Sequence, residues 1–142
     1  MRINYRCKIE KQTDGRFLVT FPDFEEAFTE GETFEEALFN AEEVLTLTLE
    51  GRMEEGMPNP LPSLSAQKDE ELVFPSPRVQ AALLVKFSRG QYTLADLART
   101  LETSWPSVAR LEDPHHWSSL KQLSKTATAL GQKLVLSFEK QH

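Results

Sequence analysis

The sequence predicts an α+β fold in two unlike parts: a β-β-β-α unit, then an all-helical unit closed by a terminal strand. Three observations point there. Apolar residues recur at every second position as far as residue 29, then at every third or fourth. Five of the eight prolines (Pro58, Pro60, Pro62, Pro75 and Pro77) crowd the middle of the 142-residue chain and deny it continuous helix. The charge also changes sign, with 6 Lys+Arg against 14 Asp+Glu in residues 1–60 but 9 against 5 in residues 77–142.

Residues 2–10 alternate strictly, with Ile3, Tyr5, Cys7 and Ile9 on one face and Arg2, Asn4, Arg6, Lys8 and Glu10 on the other. That is the period of a half-buried strand. Asp14-Gly15 tolerates the positive φ of a tight hairpin, and Phe17, Val19 and Phe21 continue the alternation. Pro22-Asp23 stops the second strand, and Glu26 to Thr29 suffices for a short third one, completing an antiparallel meander.

Gly31 ends the sheet, and Thr33 with Glu36 forms the T-x-x-E capping box of a helix. Phe34, Ala37, Leu38, Ala41, Leu45 and Leu49 make its buried stripe. Glu35, Glu36, Glu42 and Glu43 fall on the exposed side, the first two also favoured by the helix dipole. The helix fades around Gly51–Gly56. Residues 1–64 are thus the first domain and 65–77 a proline-rich linker. Within and before that linker, Glu71–Phe74 is a further candidate strand, and Leu61 and Leu64 are expected to form an edge strand or pack on the first domain.

The second domain spans 78–142. A helix from about Arg78 to Ser88 presents Val79, Leu83, Val85 and Phe87, and Gly90 ends it. Thr93, with Asp96 placed for a reciprocal cap, opens the next helix. Another begins at Ser104 and stops before Pro114. A last helix from roughly Ser118 to Leu130 buries Leu120, Leu123, Ala127 and Leu130, and Gly131 ends it. Lys133-Leu134-Val135-Leu136-Ser137-Phe138 is a strand-like run, and a lone edge strand needs a partner. The same strand of a second chain is the simplest supply, giving a dimer or tetramer.

The two middle helices have helix-turn-helix spacing. Ala98 is small where the helices cross, and Leu94, Leu97, Leu101, Val108 and Leu111 lock the pair. The second helix would offer its first turn to a major groove. The candidate DNA-binding residues are Thr103, Ser104, Trp105, Ser107 and Arg110, with Gln91, Tyr92 and Thr93 placed to hold a backbone phosphate. Arg110 suits guanine or phosphate. Trp105 is left two roles, packing under its helix or touching a thymine methyl. Glu102 stands at the turn, and Pro106 is tolerated early in a helix.

Much is excluded. No apolar run approaches the roughly 18–20 residues of a bilayer span, and one cysteine forms no internal disulfide. The expected location is cytoplasmic, with no membrane partner. No carboxylate cluster converges on the strands, adjacent His115 and His116 point apart, and Cys7 falls on a buried strand face. No cofactor, metal or enzymatic activity is expected.

The stretch Asp14-Gly-Arg-Phe-Leu-Val-Thr-Phe-Pro-Asp23, then Phe28-Thr-Glu-Gly-Glu-Thr-Phe-Glu-Glu-Ala37 and Asn40-Ala-Glu-Glu-Val44, resembles the HicB antitoxin family. The shared pattern is a strand ending in F-P-D, a T-x-G-x-T turn, then E-E-A and N-A-x-E-A on the helix. Val44 replaces the commoner alanine, and Phe24-Glu25-Glu26 replaces the usual P-G bulge. The match covers residues 1–64. The second half is similar to members that end in a helix-turn-helix and a dimerising strand.

The resemblance implies a partial ribonuclease-H-like first domain that binds and masks a HicA-type toxin, a small basic mRNA-cleaving protein. It also implies a second domain that binds operator DNA and represses its own operon. Asp23, Glu25, Glu26 and Glu30 are the candidate toxin-binding residues, since long-range attraction speeds encounter with a basic partner. The rival reading is a stand-alone helix-turn-helix regulator whose first domain senses a small ligand.

Overall fold

The computed structural model describes residues 1–140; residues 141 and 142, the end of the expected second domain, lie outside the described residues. The chain divides into two compact units between Ser76 and Pro77.

The first unit is a four-stranded antiparallel sheet with one helix on it. Its elements are β1 (Tyr5–Lys11), β2 (Phe17–Phe21), β3 (Phe24–Gly31), α1 (Phe34–Glu54) and β4 (Glu70–Val73), with sheet order β3-β2-β1-β4. The β1–β2 hairpin turns where expected: Gly15 has φ +89°, and the Arg16 amide donates to Asp14 Oδ1 at 3.0 Å. Strand β3 starts earlier than expected. Phe24 pairs with Phe21 across a bulge and is buried against Tyr5, ring centroids 5.0 Å apart. Burying an aromatic ring is worth more than extending the turn, so Pro22-Asp23 alone makes the connection.

The span expected to be linker supplies β4, which pairs with β1 through Tyr5↔Val73 and Lys8↔Glu70. The candidate strand Glu71–Phe74 is thus present, shifted by one residue, inside the span read as linker. Before it, the Ser63 amide donates to Asn4 O at 3.0 Å and the Tyr5 hydroxyl to Pro60 O at 2.7 Å. The segment is held by these polar bonds; Leu61 and Leu64 neither pair nor pack but stand exposed.

Helix α1 buries Ala37, Leu38, Ala41, Leu45 and Leu49 against the sheet, with Phe34 at the margin edge-on to Phe17. Thr33 Oγ1 accepts from the Glu36 amide at 3.1 Å, the hydroxyl half of the expected box. The glycine of the T-x-G-x-T turn has a steric cause. A Cβ on Gly31 would sit 2.4 Å from the Ala37 nitrogen and 2.8 Å from its Cα, so only glycine lets β3 pass under the helix start.

The second unit contains α2 (Pro77–Arg89), α3 (Leu94–Thr100), α4 (Trp105–Leu111) and α5 (Leu120–Ala129). Full capping boxes open α3 at Thr93 and α5 at Ser119, and Ser104 caps α4. Val85, Leu97, Ala98, Val108 and Leu111 form the core, with Leu94, Leu101, Leu123 and Leu130 packed around it. Leu120, expected inside, is exposed, and the buried residue of α5 is Thr126. The terminal run Lys133–Phe138 forms no strand within the chain. The run is irregular, with Val135, Leu136 and Phe138 in solvent.

Candidate functional site

The first unit's candidate surface is acidic, but most of its expected acids are already engaged. Asp23, in the β2–β3 turn, faces Arg6 at 3.4 Å. Glu26 holds the Arg52 guanidinium by two bonds of 2.8 Å, and that guanidinium lies over the Phe24 ring. This hydrogen-bonded pairing pulls the Glu26 carboxyl down to about 2. Glu30, at the end of β3, faces Arg16 at 3.2 Å. Glu25 alone of the four is exposed with no ion pair among the described residues. The partners Arg6, Arg16 and Arg52 are far from these acids in sequence; the strand pairing brings Arg6 and Arg16 to them, and the packing of α1 on the sheet brings Arg52.

Sequence reasoning passed over two residues here. Phe39 and Leu47 on α1 are 61 % and 66 % exposed. A signal for them existed, since both fall off the buried i, i+3, i+4 stripe and lie on the opposite side of the helix.

In the second unit, α3, the turn and α4 bring the expected residues onto neighbouring stretches of surface. Gln91, Tyr92 and Thr93 precede α3, while Thr103, Ser104 and Trp105 lead into α4. All six are exposed, and so is Arg110; Ser107 is half-buried. Several hydroxyls already have work. Thr93 Oγ1 accepts from the Asp96 amide, and Ser104 Oγ lies 2.8 Å from Ser107 Oγ. The Tyr92 hydroxyl lies 2.7 Å from Thr100 Oγ1. The bonds from Thr93, and then the Arg99 charge, hold the Asp96 carboxyl below its ordinary range. Trp105, 54 % exposed, does not pack under its helix. Arg110 enters no ion pair among the described residues.

What sets these stretches relative to one another is a strut that sequence reasoning missed. Arg89, the last residue of α2, grips Glu112, the C-cap of α4, through Nε–Oε2 at 2.6 Å and Nη2–Oε1 at 2.9 Å. It also donates to Tyr92 O at 2.8 Å, so one side chain ties α2, the approach to α3 and the end of α4. Glu102 occupies the α3–α4 turn at φ +53°, a left-handed conformation that glycine adopts without strain.

Burial pushes the Cys7 thiol up to about 12, far from thiolate chemistry. His115 Nδ1 lies 3.3 Å from the Arg78 guanidinium, a cation and not a metal. Among the described residues no three His, Cys, Asp or Glu are grouped to hold a metal ion, and no helix is long and apolar enough to cross a membrane.

The molecule is therefore an α+β protein of two modules, one sheet-based with an acidic surface and one of short capped helices. Residues 4–79 match the sequence family described as HicB-like antitoxins of bacterial toxin–antitoxin systems. The chain is 31 % identical to antitoxin HicB 1 of Photorhabdus laumondii over 96 % of its own length and 88 % of the relative's. It is 30 % identical to antitoxin HicB of Escherichia coli K12, over 94 % and 98 % respectively. The chain belongs to the HicB-like antitoxin family. It is an antitoxin of that family and not an enzyme.

Proposed function

We propose that this chain binds and neutralises a HicA-type mRNA-cleaving toxin through its first unit. In this reading the second unit represses the operon by binding operator DNA. The observation that carries the first half is the likeness to HicB antitoxins over nearly the whole chain. The net charge of residues 1–60 supports it, because an acidic surface attracts a basic toxin over distance. The β-β-β-α order of the first unit supports the reading of a partial ribonuclease-H-like module.

DNA binding rests on α3 and α4 acting as a helix-turn-helix. Exposed Thr103, Trp105 and Arg110 at α4 support it, as does the excess of basic residues in this half. Gln91, Tyr92 and Thr93 stand ready for phosphate, while Ser104 and Ser107 contribute chiefly through backbone position because the Ser104 hydroxyl caps α4 and the Ser107 hydroxyl lies 2.8 Å from it. The exposed apolar side chains of Lys133–Phe138, with Trp117 and Leu120, support pairing of two copies through that run. A dimer would present two α4 helices to two half-sites.

Two assays test this. Cells expressing the short basic reading frame beside the gene should stop growing, and co-expression of this chain should restore growth. In mobility shifts on upstream DNA, Arg110→Ala should weaken binding and flatten its salt dependence by about one counterion. A harmless neighbour, or a toxic one that is not rescued, overturns the antitoxin role and favours the ligand-sensing regulator. No shift at low salt overturns the repressor role.

A further inference from the structure

Helix α1 has a second face with no structural task. Its inner stripe is buried on the sheet. On the outer side Phe39, Glu43 and Leu47 follow one another at intervals of four residues, so they share one surface stripe. Glu36 lies on the same side, one turn before Asn40, whose side chain ties α1 to β3 by donating to Glu30 O at 2.8 Å.

The charges around this stripe are uncommitted. Glu32, Glu35, Glu36 and Glu43 enter no ion pair among the described residues, whereas Asp23, Glu26 and Glu30 each face an arginine of the chain. Single exposed apolar residues are ordinary. Two large ones on the same stripe, with free carboxylates between and beside them, have the composition of an interface: apolar anchors with a charged rim. The edge of β3 offers a poorer surface. Its row of charged side chains is what protects a sheet edge from strand addition.

We infer that the outer face of α1 is where the first unit docks its basic protein partner. Phe39 and Leu47 are the anchors, and Glu36 and Glu43 are the steering charges. The identity of the occupant as the toxin rests on the function proposed above. Charge complementarity selects a basic protein: the stripe's unpaired groups are all carboxylates, and residues 1–60 carry an excess of eight acidic over basic side chains.

The test is titration calorimetry and stopped-flow association with the full chain. The probe is the short basic protein encoded beside its gene, in an inactivated form. Phe39→Ala and Leu47→Ala are each expected to weaken binding roughly tenfold or more, as buried anchors do. Phe39→Gln and Leu47→Gln, which keep helix propensity, should do the same. Glu36→Lys with Glu43→Lys should slow association about tenfold at low salt and little at high salt. Phe28→Ala removes an equally exposed ring from the sheet face opposite α1 and should bind as the unmodified chain does. Melting temperatures of the Phe39, Leu47 and Phe28 variants should not move, because those side chains are in solvent, and that of the lysine variant should fall only slightly, through the lost dipole contact of Glu36. If the unmodified chain binds and the Phe39 and Leu47 variants match it within about twofold, the docking face is elsewhere and the antitoxin role stands. If the unmodified chain does not bind the probe, the role itself and the occupant named here both fall.

Discussion

Replacing Glu112 by alanine removes one end of the strut that ties α2, α3 and α4 together. The side chains of Arg89 and Glu112 are 17 % and 11 % exposed and joined by two bonds of 2.6 and 2.9 Å. Breaking a fully buried pair by deleting one partner costs about 3–5 kcal/mol, while an exposed pair is worth about 0.2–1 kcal/mol. This pair is nearer the buried limit but retains some solvent, and Arg89 keeps its bond to Tyr92 O. The expected loss is about 2–3 kcal/mol. For a unit of roughly 60–100 residues that lowers the midpoint by roughly 10–20 °C.

Scanning calorimetry of the full chain should show the transition of the helical unit displaced and that of the sheet unit unmoved. Glu112→Gln keeps the shape and loses the charge, so it should fall between the two. Joint replacement of Arg89 and Glu112 by Met and Leu should recover much of the loss, because no buried charge is then left alone. A fall of less than about 3 °C for Glu112→Ala would refute the reasoning, since it would show that the pair behaves like a surface contact.

Gly31→Ala should cost about 3 kcal/mol or more in chemical denaturation, because the added carbon meets the backbone of Ala37 and Glu36 and not a movable side chain; a loss under about 1 kcal/mol would mean β3 and α1 separate easily. Glu102→Gly relieves a left-handed non-glycine residue but loosens the unfolded chain, and a net gain of about 0.5 kcal/mol is expected by urea denaturation, whereas Glu102→Val should destabilise. The Glu26–Arg52 pair lowers the folded-state pKa of Glu26, so its contribution is full above about pH 4.5 and is lost as pH falls through about 2. With the Glu26 side chain 47 % exposed, that contribution is about 1 kcal/mol, and melting curves of the unmodified chain and Glu26→Gln should differ at pH 6 and converge near pH 2. A chain ending at Leu64 lacks β4 and leaves the β1 edge open, so it should be aggregated or unfolded by circular dichroism, while one ending at Ser76 should fold.

Local rules suffice for much of the chain. Alternation placed β1 and β2, the 3.6-residue period and the Thr93 and Ser104 caps placed α1, α3 and α4, and glycine and proline placed the breaks. The packing of Leu97, Val108 and Leu111 was legible in the same way, as was the T-x-G-x-T turn whose glycine clears Ala37. Family membership was legible because that turn and its flanking motifs are contiguous.

Tertiary structure alone decided which charges were free. Arg52 reaches Glu26 and Arg89 reaches Glu112 across 26 and 23 residues, distances at which no local pattern pairs one residue with another. It also decided that the candidate strand at 71–74 joins the first unit's sheet as β4, since only the β1 edge gives so short a segment a partner. Leu120 and Leu64 are exposed for a similar reason: a stripe says which side of an element is apolar, but only the neighbouring element says whether anything covers it.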